Sequence, residues 1–146
     1  QDAVGNILAN MNQSNSVELY FGGSKKFETT NEGVEINDTY DISSENTNTS
    51  ATTQTTIDTF TATAFRSCRY TVQVTNNTDS TYHTTELLLV HDGTTPGITE
   101  FGAIFTGAAA EATFDADISS GNVRLRATPA SADSMTFKVI RHAITA

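Results

Sequence analysis

The sequence predicts an all-β protein: a small, shaft-like N-terminal β-meander followed by an antiparallel β-sandwich of jelly-roll type. Three observations carry that prediction. Threonine is in excess, short apolar segments recur at even spacing between turn residues, and one hairpin permits a single register. Of 146 residues, 26 are Thr, 12 Ser and 11 Asn, and Thr outnumbers Leu, Ile and Val combined. Thr loses rotamer freedom in a helix, and Asn and Ser compete for its backbone bonds. A pleated, half-exposed surface suits Thr. Hydrophobic residues make up 37% and charged ones 17% of the chain, too apolar for wholesale disorder. No apolar run approaches the roughly 20 residues needed to cross a bilayer, so no membrane insertion is expected.

Taken in order, residues 1–15 form an N-terminal segment. Val4, Ile7, Leu8 and Met11 fall at helical spacing and predict a short helix over 3–13. Residues 16–36 read as three short strands: Val17 to Phe21, Lys25 to Thr30, and one starting at Val34. Gly22-Gly23-Ser24 and Asn31-Glu32-Gly33 turn the chain between them. A unit this small buries too little apolar area to stand alone. Tyr20, Phe21, Phe27 and Ile36 are therefore expected to be covered by other chains. Residues 37–57 hold only Tyr40, Ile42 and Ile57 as strongly apolar side chains and read as a polar linker.

Residues 58–146 carry the sandwich. Strands are expected at 57–65, 67–75, 82–91, 98–106, 111–119, 122–129 and 135–145, with turn residues between them. Glu86-Leu87-Leu88-Leu89-Val90 is apolar on both faces, as at a sheet centre or a subunit contact. If Ser120-Gly121 is a two-residue turn, Phe114, Ala116 and Ile118 oppose Ala127, Leu125 and Val123 on one face. Asp115 and Asp117 then oppose Arg126 and Arg124 on the other, and a one-residue slip scrambles both faces.

Net charge is -9 with an isoelectric point near 4.5. That field repels nucleic acid, and the basic stripe of a nucleic-acid binder is missing. The one cysteine, Cys68, excludes an intrachain disulfide.

Two stretches resemble known virion proteins. Val17-Glu18-Leu19-Tyr20-Phe21 with Ser24-Lys25-Lys26-Phe27-Glu28-Thr29-Thr30 and Gly33-Val34 resembles a unit of tail-fibre and related virion proteins of marine bacteriophages. Downstream, Phe65-Arg66-Ser67-Cys68-Arg69-Tyr70, Leu88-Leu89-Val90-His91-Asp92-Gly93-Thr94-Thr95 and Thr113-Phe114-Asp115-Ala116-Asp117-Ile118 are similar to a domain in structural proteins of cyanophage-like viruses. So is Gly121-Asn122-Val123-Arg124-Leu125 with Thr128-Pro129-Ala130. The resemblance implies a tail fibre or other external appendage of the virion, a homotrimer contacting other virion proteins.

Groupings that would carry chemistry are weak. His83, His91 and His142 lack the spacing of a metal site. Asp115-x-Asp117 alternates along a strand, so pairing with arginine outweighs a calcium loop. No Gly-x-Ser-x-Gly elbow surrounds Ser67, and nothing marks Glu86 and Glu100 as an acid/base pair. Cys68 reads as a small buried hydrophobe. No enzyme activity, cofactor or metal is expected. Recognition is expected in the end loops at Asn76, Asn77, Thr78 and Asp79, at Asp92, Thr94 and Thr95, and at Ser131 and Asp133. Their donors and acceptors suit a host-surface glycan or protein, and Tyr40 or Tyr82 would offer a stacking face. A capsid decoration or cement protein and a polysaccharide-cleaving fibre are the alternatives.

Overall fold

A computed structural model of the chain describes residues 7–11 and 16–146. Among these residues it contains strands and no helix. The strands are β1 (Ala9–Met11), β2 (Val17–Phe21), β3 (Ser24–Thr29), β4 (Gly33–Ile36), β5 (Tyr40–Thr49) and β6 (Thr55–Thr61). They continue as β7 (Phe65–Asn76), β8 (Thr81–His91), β9 (Pro96–Phe105), β10 (Ala112–Ser119), β11 (Asn122–Pro129) and β12 (Met135–Thr145). Nine form one sheet in the order β1-β2-β3-β4-β5-β12-β7-β8-β9, and three form a second, β10-β11-β6. All pairings are antiparallel.

The small sheet covers part of one face of the large one, here the inner face, and the core lies between them. Tyr70, Val72 and Val74 of β7, Leu87 and Leu89 of β8, and Phe137 and Val139 of β12 are buried there. Val123, Leu125 and Ala127 of β11 and Ile57 and Phe60 of β6 close the core from the other side. Strict alternation along β7, β8 and β12 produces this layer, and each large apolar side chain contributes about 1.5–3 kcal/mol of transfer free energy.

The β10–β11 hairpin has the register that its side chains demand: Ser119 opposes Asn122, Ala116 opposes Leu125 and Phe114 opposes Ala127. Ser120 and Gly121 take φ of 52° and 79°, as a two-residue hairpin turn requires. The ion pairs differ from expectation at one place. Arg124 grips Asp117 with Nε and Nη2, both at 2.6 Å. Arg126, opposite Asp115, instead reaches diagonally to Asp117 at 2.9 Å while Nη2 donates to the Gln54 carbonyl at 3.2 Å. Asp115 accepts the Ala116 N–H at 2.8 Å. A long guanidinium stem spans the diagonal easily, so one carboxylate serves two arginines.

Two expectations are corrected. Within the predicted helix over 3–13, Ala9–Met11 is strand β1, paired with β2, while residues 3–6 and 12–13 lie outside the described residues. The stretch 37–57 is not a linker, because β5 occupies most of it, paired with β4 on one side and along its full length with β12 on the other. β5 escaped the apolar alternation test because its inner positions are polar: Asp41 and Ser43 are buried at 1% and 5% exposure. The large sheet is therefore continuous from the meander into the sandwich. Gly33 makes the join possible, since a Cβ there would meet the Ile42 carbonyl oxygen at 2.1 Å.

Asp41 is buried to meet Arg141, which sits on the inner face of β12 at 1% exposure. Arg141 Nη1 donates to both oxygens of Asp58 on β6, at 3.0 and 2.9 Å. Nη2 reaches Glu32 in the β3–β4 turn at 3.3 Å and Asp41 at 3.7 Å. Its guanidinium lies over the rings of Phe60 and Phe65, 5.0 and 5.2 Å from their centroids. Tyr70 donates its hydroxyl to Asp58 at 2.9 Å. Burial raises the Asp41 carboxyl pKa, an effect that Arg141 opposes.

Asp58→Ala should lower the unfolding free energy by about 3–5 kcal/mol in urea titrations, since it leaves Arg141 charged and buried. Asp117→Ala, at an ion pair that is one-third exposed, should cost at most about 1 kcal/mol.

Candidate functional site

The nine loop residues expected to bind fall at opposite ends of the sandwich. β7 and β8 run antiparallel, so the turn after β7 and the turn after β8 are a strand length apart. Asn76, Asn77, Thr78, Asp79, Ser131 and Asp133 come together at one end. Asp92, Thr94 and Thr95 occupy the other, the end at which the meander joins Tyr40–Ser43 of β5.

The first end is built around one buried amide. Asn76 is 2% exposed. Its Oδ1 accepts the N–H groups of Thr78 and Asp79 at 3.0 and 3.1 Å, which shapes the turn. Its Nδ2 donates to Asp133 at 3.1 Å and to Glu111 at 3.4 Å, tying in two further loops. Glu111 also accepts the Thr81 hydroxyl at 2.5 Å, and Asp133 the Ser131 hydroxyl at 2.6 Å. The Asn77 N–H donates to the Ser134 carbonyl at 2.7 Å. Hydrogen bonds from Ser131 and Asn76 hold the Asp133 pKa below the usual carboxylate range. Sequence reasoning found these loops but missed Glu111, whose place beside Asn76 depends on a chain crossing between sheets. Asn77, Thr78, Asp79 and Ser134 remain exposed above the knot.

At the opposite end Asp92 consumes its own acceptors. Oδ1 takes the Thr94 N–H and hydroxyl at 2.7 Å each and the Thr95 N–H at 2.8 Å. These bonds hold its pKa at about 2. His91 completes the turn from beneath, with Nε2 2.7 Å from the Phe65 carbonyl and Nδ1 accepting the Gly93 N–H.

The other candidates scatter. His83 is buried at 1% exposure on the inner face with neither ring nitrogen hydrogen-bonded, between Phe105 and Phe114 and 3.9 Å from Glu100. Burial lowers its pKa against the opposing pull of Glu100 and Glu111. His142 meets the Tyr40 hydroxyl on the outer face. Among the described residues no three His, Cys, Asp or Glu gather as a metal site. Glu86 opposes Phe101 while Glu100 opposes Leu87, so the two carboxylates point to opposite faces of the sheet. Cys68 is buried, and that burial pushes its thiol up to about 11.

The outer face of the large sheet is uncovered. Leu88 and Val90 of β8 and Ile140 and Ile144 of β12 point outward at 45–56% exposure. Arg69 pairs with Glu86 among them and lies over the Phe101 ring. A shallow cavity of about 920 Å³ lies there, walled by Tyr40, Arg69, Leu88, Val90, His142 and Ile144. Ladder pairing carries this face into the meander: Ile36 opposes Tyr40, Phe27 opposes Ile36, and Leu19 opposes Phe27. Of the four meander residues expected at a chain contact, Phe27 and Ile36 thus lie on it. Phe21 follows Leu19 by two residues and is 79% exposed, while Tyr20 points the other way and donates to Glu18.

No family model matches the chain, and no curated protein does. Two solved structures are similar in part. The tailspike protein of Acinetobacter baumannii phage AM24 is 8% identical with a TM-score of 0.42, over 72% of this chain and 26% of that one. The tailspike protein of Acinetobacter phage vB_ApiP_P1 is 15% identical with a TM-score of 0.40, over 73% and 22%. The chain spans about a quarter of the length of either, and a likeness of this strength decides neither fold nor function.

Two outcomes follow from the titratable groups. The Asp92 bonds stabilise the turn above the unfolded carboxylate range and are lost as pH falls through about 2. A side-chain NMR titration should place Asp92 near that value, and Thr94→Val should raise it. For His83 the sign is opposite. The unfolded chain takes up a proton first, so the fold loses stability as pH falls through about 6.5. In thermal melts between about pH 7.5 and 5.5, His83→Phe should flatten that dependence.

Proposed function

We propose that this chain is a non-enzymatic module of a virion appendage, a tail-fibre segment that forms a homotrimer and meets the host surface through the loops built on Asn76. The resemblance of its sequence phrases to those of phage virion proteins supports the appendage reading. One geometric observation carries the binding end. Loops distant in sequence converge on a buried amide at the end of the sandwich away from the meander, leaving one exposed amide, hydroxyls and a carboxylate on a rigid base. Such groups hydrogen-bond sugar hydroxyls or peptide groups weakly one at a time. Three copies on one axis raise avidity by roughly 10²–10⁴ when all engage together. Thr94 and Thr95 sit at the meander end and serve the turn.

Purified protein should compete with virions for adsorption to host cells. Asn77→Ala combined with Asp79→Ala should weaken that competition at least about tenfold, a loss that multivalency amplifies. Thr94→Ala with Thr95→Ala should leave it unchanged. Competition lost only in the Thr94/Thr95 variant would move binding to the meander end. Competition unaffected by either would leave a decoration or connector role, and depolymerisation of host envelope by the wild-type protein would favour the cleaving fibre.

A further inference from the structure

We propose that copies of this chain pack against one another through the outer face of the nine-stranded sheet. The inference rests on the homo-oligomer of the preceding reading and names the surface that makes it.

The parity of the meander is the first argument. Alternation normally places the apolar residues of a strand on the side that another layer covers. β2, β3 and β4 do the reverse with respect to the sandwich. Their inner positions carry Glu18, Glu28 and Glu35, directly opposite one another across the three strands. Their outer positions carry Leu19, Phe21, Phe27 and Ile36. An apolar set on the side where this chain supplies no second layer is a set meant for another molecule. β8 repeats the pattern within the sandwich, with Leu87 and Leu89 spent on the core and Leu88 and Val90 left outside.

Charge selects the partner. The chain carries -9, so two copies repel at most of their surface. Yet of the carboxylates on the nine strands, Glu86 alone faces outward, and Arg69 neutralises it. Glu18, Glu28, Glu35, Asp41, Glu45 and Glu100 all occupy inner positions. Lys138 of β12 adds one outward charge, so the face is close to neutral, offers little to attract a strongly charged partner and suits a second copy of itself.

Area is sufficient as well. With about 200 Å² for a fully exposed large apolar side chain, the outward apolar residues present on the order of 1,000 Å². A stable interface uses about 800 Å² per partner. The cavity between Tyr40, Val90 and Ile144 gives the face relief, so a partner's side chain can seat in one position.

Light scattering at micromolar concentration should find the wild-type protein oligomeric. Val90→Glu with Ile140→Glu, both exposed and away from the core, should weaken self-association about a hundredfold or more and yield monomer with an unchanged circular dichroism spectrum. A double variant of wild-type mass would overturn this surface while leaving the oligomer reading in place. A monomeric wild type would overturn both. Should the double variant misfold, Ile140→Cys provides a second readout. Cys68 is buried and reacts poorly, so a short bis-maleimide should link Ile140→Cys chains and leave wild type unlinked. An oligomeric Ile140→Cys protein that the reagent does not link would also rule out this face.

Discussion

Arg141 brings a full positive charge into a space otherwise filled by Phe60, Phe65, Tyr70 and Leu125, and the surrounding strands are arranged to answer that charge. Removing a guanidinium from water is unfavourable by several kcal/mol unless carboxylates replace the lost solvent. Asp58 does so from the small sheet, Asp41 from β5 and Glu32 from the β3–β4 turn. One side chain on β12 thereby pins the two sheets to each other and the meander to both. Apolar residues alone tolerate sliding, because one branched side chain replaces another at modest cost. Displacing β6 along β12 would instead strand a buried charge on each side, so the ion cluster specifies the alignment that the apolar layer merely permits.

How far this was legible in the sequence depends on which residue types do the work. Every strand expected between 57 and 145 is present with its ends moved by a few residues, because apolar alternation and turn residues mark those segments. The β10–β11 register followed from side chains that sort by face in one way only. β5 was missed for the reason that makes it important: Asp41 and Ser43 face inward and imitate the composition of a linker. Arg141, within Val139-Ile140-Arg141-His142, did not stand out in the sequence, since no local pattern announces a partner 83 residues upstream. The knot at Asn76 was half legible. Its loops are rich in turn-forming residues, but the amide that joins them acts through burial, which composition does not encode.

The two faces of the large sheet divide the labour. Inward, the sheet makes the core and holds the charges that fix its geometry. Outward, the half nearer the meander is apolar, with Arg69 and Glu86 paired within it, while Ser44, Asn46, Gln73, Thr84 and Lys138 make the half nearer the Asn76 loops polar. The loops at the far end are held from below by Asn76 and laterally by bonds between Asn77, Thr78 and Ser134, so recognition groups there sit on a fixed frame.

The last strand of the sheet also limits what can join it. Pro96 opens β9 and lacks an N–H, and a bulge at Thr84/Glu86, with Gly102 at φ 70°, breaks the ladder further along. A regular free edge would accept a strand from any neighbouring molecule and extend the sheet without limit. Here the interrupted edge makes such lateral growth unfavourable. Fibrillar aggregation along that edge is thereby disfavoured, while the broad outer face is left uncovered.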